Sequence, residues 1–134
     1  QPLGFGGDYH TTEDFVQGIK NQVGTVLVPD AGIIGGVTML ARTADLAQQA
    51  KLKMAPVVQG GPLSLLTVAR SLSKRKEILW VTSPYQEEWL KEGGVLRRPL
   101  QMEKGSLVSK SCEIDETKFQ VQRIAQLETK NKEK

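Results

Sequence analysis

Cysteine and histidine are almost absent: the 134 residues hold one of each, Cys112 and His10. A single thiol forms no internal disulfide, which fits a reducing compartment such as the nucleus or cytosol. One Cys and one His do not supply the usual ligands of a zinc site. Cys112 has no second thiol for a redox couple. His10 sits in a polar stretch with no obvious nucleophile and orienting acid, so neither residue marks a catalytic centre. No apolar run approaches the roughly 20 residues that span a bilayer. The first residues lack the basic-then-apolar order of a signal peptide. The chain opens Gln1-Pro2-Leu3 without an initiator Met and reads as a fragment of a longer protein.

What is present is the composition of an ordinary folded domain, 39% hydrophobic and 25% charged, which excludes collagen-like and fully disordered chains. Charge is uneven. Residues 1–50 carry a net −3, residues 51–110 a net +6, and residues 111–134 balance. A basic middle attracts phosphate or forms a solvated face, and composition leaves both open. Its clusters are Lys51/Lys53, Lys74-Arg75-Lys76 and Arg97-Arg98, with no interleaved aromatics for stacking bases. The adjacent acids Glu13-Asp14 and Glu87-Glu88 diverge by about 100° on a helix, so they suit caps and surface, not acid–base catalysis.

Helix and strand signals alternate. Leu3-Gly4-Phe5 reads as a short strand closed by Gly6-Gly7. Thr11-Thr12-Glu13-Asp14 starts a helix, with a hydroxyl cap and acids where the dipole favours them. Phe15, Val16, Ile19 and Val23 continue it to Gly24. Thr25-Val26-Leu27-Val28 and Val37-Thr38-Met39-Leu40-Ala41 read as strands buried on both faces. Residues 44–53 have helical character, and Val57-Val58 reads as strand. A helix is expected over 63–73, after Gly60-Gly61-Pro62. Ile78-Leu79-Trp80-Val81-Thr82 is the most strand-like run, and Ser83-Pro84 opens a helix over 85–92. A last helix is expected over 115–130. The pattern predicts an α/β domain with a small parallel sheet and helices on both faces.

The glycine clusters, Gly4-Phe5-Gly6-Gly7 and Gly32-Ile33-Ile34-Gly35-Gly36, lack the Lys-Ser/Thr pair of a P-loop. The first also lacks dinucleotide-binding spacing. Turn glycine is the better reading, and no cofactor is expected.

The run Trp80-Val81-Thr82-Ser83-Pro84-Tyr85-Gln86-Glu87-Glu88-Trp89-Leu90-Lys91-Glu92-Gly93-Gly94-Val95-Leu96 resembles the end of a BRCT domain. Tyr85 and Trp89 would pack its closing helix onto the sheet. Phe15, Ile19 and Val23-Gly24-Thr25-Val26 resemble that family's first helix and the turn into its second strand. Val37-Thr38-Met39-Leu40-Ala41 resembles its next strand, with Met39 where the family has His. The resemblance implies a single BRCT-like domain over 1–104, a four-stranded mainly parallel sheet with about three helices, and a C-terminal extension over 105–134.

It further implies a non-enzymatic protein-interaction module of a larger nuclear protein, in DNA repair, checkpoint signalling or chromosome segregation. The partner would be a phosphorylated Ser or Thr on another protein. A doubly charged phosphate suits a helix N-terminus, backbone donors and an ammonium. Gly6 and Gly7 would offer N–H groups, Thr11 or Thr12 a hydroxyl, and Ser64 the second-helix start. Lys51, Lys53 or Arg70 would stand in for the family's Lys. The second reading is a DNA-end or chromatin-binding module using the 51–110 surface, and the third is a small α/β enzyme.

Overall fold

The computed structural model describes residues 1–84, 96–104, 106–108 and 113–114. Three short parallel strands, β1 (Gly4–Phe5), β2 (Val26–Leu27) and β3 (Lys53–Met54), lie side by side in chain order. Gly4 pairs with Val26 and Phe5 with Leu27; Val26 then pairs with Lys53 and Leu27 with Met54. The run 78–82 continues the order through parallel bridges Met54 to Ile78 and Val57 to Thr82. Trp80 within it is 59% exposed.

Helices α1 (Thr12–Lys20), α2 (Val37–Gln49) and α3 (Pro62–Leu72) make the crossovers. Right-handed crossovers in a sheet that never reverses its order put every helix on one side, and α2 packs against both α1 and α3. This is an arc of the kind that closes into a (β/α) barrel. A BRCT-like sheet with helices on both faces is not what forms. Phe5, Leu27 and Met54 are in register, share the helix-facing side, and join one buried core with Phe15, Leu40 and Leu65.

Local chemistry sets each crossover. Thr11 caps α1 in a reciprocal box: its hydroxyl accepts from the Asp14 N–H, and the Asp14 carboxylate accepts from the Thr11 N–H. Gly18 lets α1 approach the sheet, since a Cβ there would stand 2.6 Å from the Phe5 ring. The expected strand at 37–41 is instead the first turn of α2. Its buried positions Leu40, Thr43, Ala44 and Ala47 recur at helical spacing, and small side chains let the helix lie close to its neighbours. The glycine pair that suggested a strand boundary is the start of that helix, with Gly36 as N-cap. Pro62 opens α3, where its missing N–H costs nothing.

An antiparallel hairpin, β4 (Gln101–Glu103) and β5 (Ser106–Val108), follows. The boundary expected between 104 and 105 falls between its two strands. Leu96 and Leu100 bury into the main core. The helices expected over 85–92 and 115–130, and the packing expected of Tyr85 and Trp89, lie outside the described residues, as does Cys112.

Candidate functional site

In a barrel arc, the loops at the C-terminal ends of the parallel strands share one rim. Two successive strand ends here carry related tripeptides, Val28-Pro29-Asp30 after β2 and Ala55-Pro56-Val57 after β3, with both prolines fully buried. They are locked side by side: the Val57 N–H donates to the Pro29 carbonyl at 2.9 Å, and the Ala31 N–H to the Val57 carbonyl at 2.8 Å. Asp30 and Val57 are therefore ladder partners.

Asp30 is 2% exposed, yet its carboxylate is fully engaged. Oδ1 accepts from the Gly32 N–H at 2.8 Å and the Ile33 N–H at 3.2 Å. Oδ2 accepts from Gln59 Nε2 at 2.6 Å. A buried carboxylate with three donors is an acceptor-only anchor. It fixes the 30–34 turn and aims the exposed Gln59 amide, whose carbonyl oxygen has no hydrogen bond among the described residues.

Beside this clamp lies an open cavity of about 480 Å³, bounded by Ala31 and Gly32 on one side and Val58 and Gly60 on the other. Its far wall is the first turns of α2 and α3, through Val37, Leu63 and Ser64. Both helices begin on glycine, Gly36 and Gly61, with no side-chain cap. Their first N–H groups carry the positive end of the helix dipole unopposed by a cap.

The residues expected to hold phosphate are not gathered. Gly6 and Gly7 lie in the β1–α1 loop, and the Thr11 hydroxyl is used in capping. Lys53 is in β3, with Nζ donating to the Lys76 carbonyl at 3.1 Å. Arg70 is in the last turn of α3, and Ser64 in its first. Only Ser64 lines the cavity. Asp30 and Gln59, which the sequence reading passed over, are the polar pair that the fold does assemble. The repeated X-Pro-X at two strand ends was the signal.

The sequence profile of the enolase C-terminal domain-like family matches residues 1–111. Among solved structures, the chain is similar to a member of the enolase superfamily from Salmonella Typhimurium. The TM-score is 0.71 and the identity 17%, covering 90% of this chain and 32% of that one. It is also similar to a racemase from Streptomyces coelicolor A3(2) with bound magnesium (TM-score 0.65, 17% identity, 95% of this chain, 32% of that). A third is L-talarate dehydratase from Polaromonas sp. JS666 complexed with Mg and L-glucarate (TM-score 0.62, 21% identity, 87% and 31%). The chain thus spans about a third of the length of these structures. The comparison with curated proteins finds no match.

These findings overturn the BRCT resemblance. With it go the phosphoprotein-binding or chromatin-binding module and the expectation of a non-enzyme, since the family is enolase C-terminal domain-like and the fold is shared with enzymes, a racemase and a dehydratase among them. The weak motifs that suggested BRCT are those of any β–α–β crossover: a capped helix, a glycine, a short apolar strand. The chain belongs to the enolase C-terminal domain-like family.

Proposed function

We propose that this chain forms an arc of an enolase-superfamily barrel whose rim helps to bind a small hydroxy carboxylic acid. The observation that carries the reading is the Gln59 amide, held at 2.6 Å by buried Asp30, beside two helix starts without side-chain caps. The Gln59 carbonyl oxygen accepts a substrate hydroxyl. The α2 and α3 N-termini favour its carboxylate, because aligned peptide dipoles place partial positive charge there. The hydroxy-acid class is also the chemistry of the similar dehydratase, which holds L-glucarate.

Enolase-superfamily sites employ a Lys or His base and one or two Mg²⁺ ions. The described residues do not fit the metal. No three His, Cys, Asp or Glu side chains come together among them. The Asp30 lone pairs already meet three N–H donors, so a cation would have to displace hydrogens already bound there. Among the described residues, the ladder partner of Asp30 is Val57, which is no base. What the described residues contribute is therefore recognition and positioning.

Isothermal titration of the full chain with L-malate, lactate and L-glucarate tests the reading. Saturable binding that weakens about tenfold in Gln59→Leu supports it, the size of one lost hydrogen bond to a charged or strongly polar ligand. Absence of binding to all three acids overturns it.

A further inference from the structure

The interior of the cavity differs from its rim. Ala31, Val37, Val58, Leu63 and Val68 line it with hydrocarbon, and among the described residues no charged or amide side chain lines it. Of its two hydroxyls, Thr67 Oγ1 is spent on the Leu63 carbonyl of its own helix at 2.7 Å. Ser64 is the one hydroxyl left without a hydrogen bond among the described residues. Its volume, about 480 Å³, falls within the roughly 300–1,000 Å³ common for small-molecule sites.

We infer that this cavity takes an apolar substituent of the acid, a branched alkyl or aryl chain, and so selects against polyhydroxylated acids. The inference rests on the acid-binding reading of the rim. With the helix-start N–H groups taken by the carboxylate, a row of substrate hydroxyls entering the cavity would leave water and find one side-chain partner, Ser64, an exchange that disfavours binding. A hydrocarbon chain leaves water without losing hydrogen bonds and covers apolar wall. Specificity then divides by position: Gln59 and the helix starts read the hydroxy-acid head, while Val37, Val58 and Leu63 read the tail.

The test titrates the full chain with two acids of equal charge, α-hydroxyisocaproate and threonate. The inference expects α-hydroxyisocaproate to bind at least about tenfold more tightly, the discrimination that a few methylenes supply in an apolar pocket. Leu63→Asn should abolish that preference and Leu63→Met should retain it. Val37→Asn provides the same test should Leu63→Asn unfold, with circular dichroism reporting the fold of each variant. Threonate binding equally or more tightly overturns the inference and leaves the rim reading standing. Binding of neither acid overturns both.

Discussion

Gln59 Nε2 donates to Asp30 Oδ2 at 2.6 Å across 29 residues of sequence, joining the ends of two neighbouring parallel strands. The contact is a side-chain extension of the ladder beneath it, where the Val57 N–H already donates to the Pro29 carbonyl. Because Asp30 is buried, the bond is exchanged against little bulk water and holds an exposed amide in one place.

That relationship makes a reciprocal exchange informative. Asp30→Asn keeps an oxygen for Gly32 and Ile33 but sets an amide N–H₂ against the Gln59 N–H₂. The exposed Gln59 amide must turn its oxygen to accept from the new N–H₂, and a charge-assisted contact becomes a neutral one, at a cost of about 1 kcal/mol. Adding Gln59→Glu supplies a charged acceptor and should recover much of the loss. Urea unfolding of both single variants and the double variant measures it. A double variant no better than the sum of its parts would show that the contact contributes nothing to stability.

Arg75 leads to a second prediction, decided by burial. Its guanidinium donates to Asp45 at 2.8 Å and Glu77 at 3.0 Å, and these two carboxylates raise its pKa, so it stays charged. The Glu77 side chain is 8% exposed and that of Asp45 53%. Asp45→Asn should therefore cost less than about 1 kcal/mol, as solvent-exposed pairs do. Arg75→Met strands the Glu77 carboxylate out of water and should cost about 3–5 kcal/mol. Glu77→Gln in the Arg75→Met background should return part of that. Thermal unfolding ranks the three variants, and equal effects of Asp45→Asn and Arg75→Met would refute the burial argument.

The start of α1 gives a pH dependence of known sign. Hydrogen bonds from Thr11, side chain first and then backbone, hold the Asp14 carboxyl below its ordinary 3.8. A depressed folded-state pKa adds stability that is fully present above the unfolded value and lost as pH falls through the folded one. Acid should thus weaken the α1 cap below about pH 4. Thr11→Val should flatten this part of the profile while leaving the rest of the acid transition in place. Amide hydrogen exchange in α1 between pH 3 and 6, compared between the wild type and Thr11→Val after correction for intrinsic rates, reads the difference.

Local chemistry was legible in the sequence, and long-range pairing was not. The Thr11-to-Asp14 cap and the glycine-then-proline start of α3 act within a few residues, so spacing alone reveals them. Val37-Thr38-Met39-Leu40-Ala41 misled because a β-branched apolar run after two glycines suits a strand. Only the buried series Leu40, Ala44, Ala47 shows the helical period. Asp30 stood out least of all, since an acid after a proline is an ordinary loop residue. Its importance comes from a partner 29 positions away that parallel pairing brings alongside. Nor does any stretch of sequence state whether a sheet keeps its order or reverses, and that choice separates a barrel arc from a two-sided sheet.

Gly36 supports the last prediction, in which space and conformation give different answers. A Cβ at this position would meet nothing within 4 Å, so packing alone would permit alanine. The backbone does not: φ is +84° and ψ is −164°, a region essentially reserved for glycine and distinct from the left-handed helical region that Asn tolerates. Gly36→Ala and Gly36→Asn should therefore destabilise alike, by about 1–3 kcal/mol each. At an ordinary helix-terminal glycine, Asn would be the milder of the two. Because Gly36 also lines the cavity, both variants should weaken hydroxy-acid binding along with stability. Chemical denaturation of the pair decides the matter: an Asn variant close to wild type while the Ala variant falls would mean that this residue adopts the left-handed helical conformation instead.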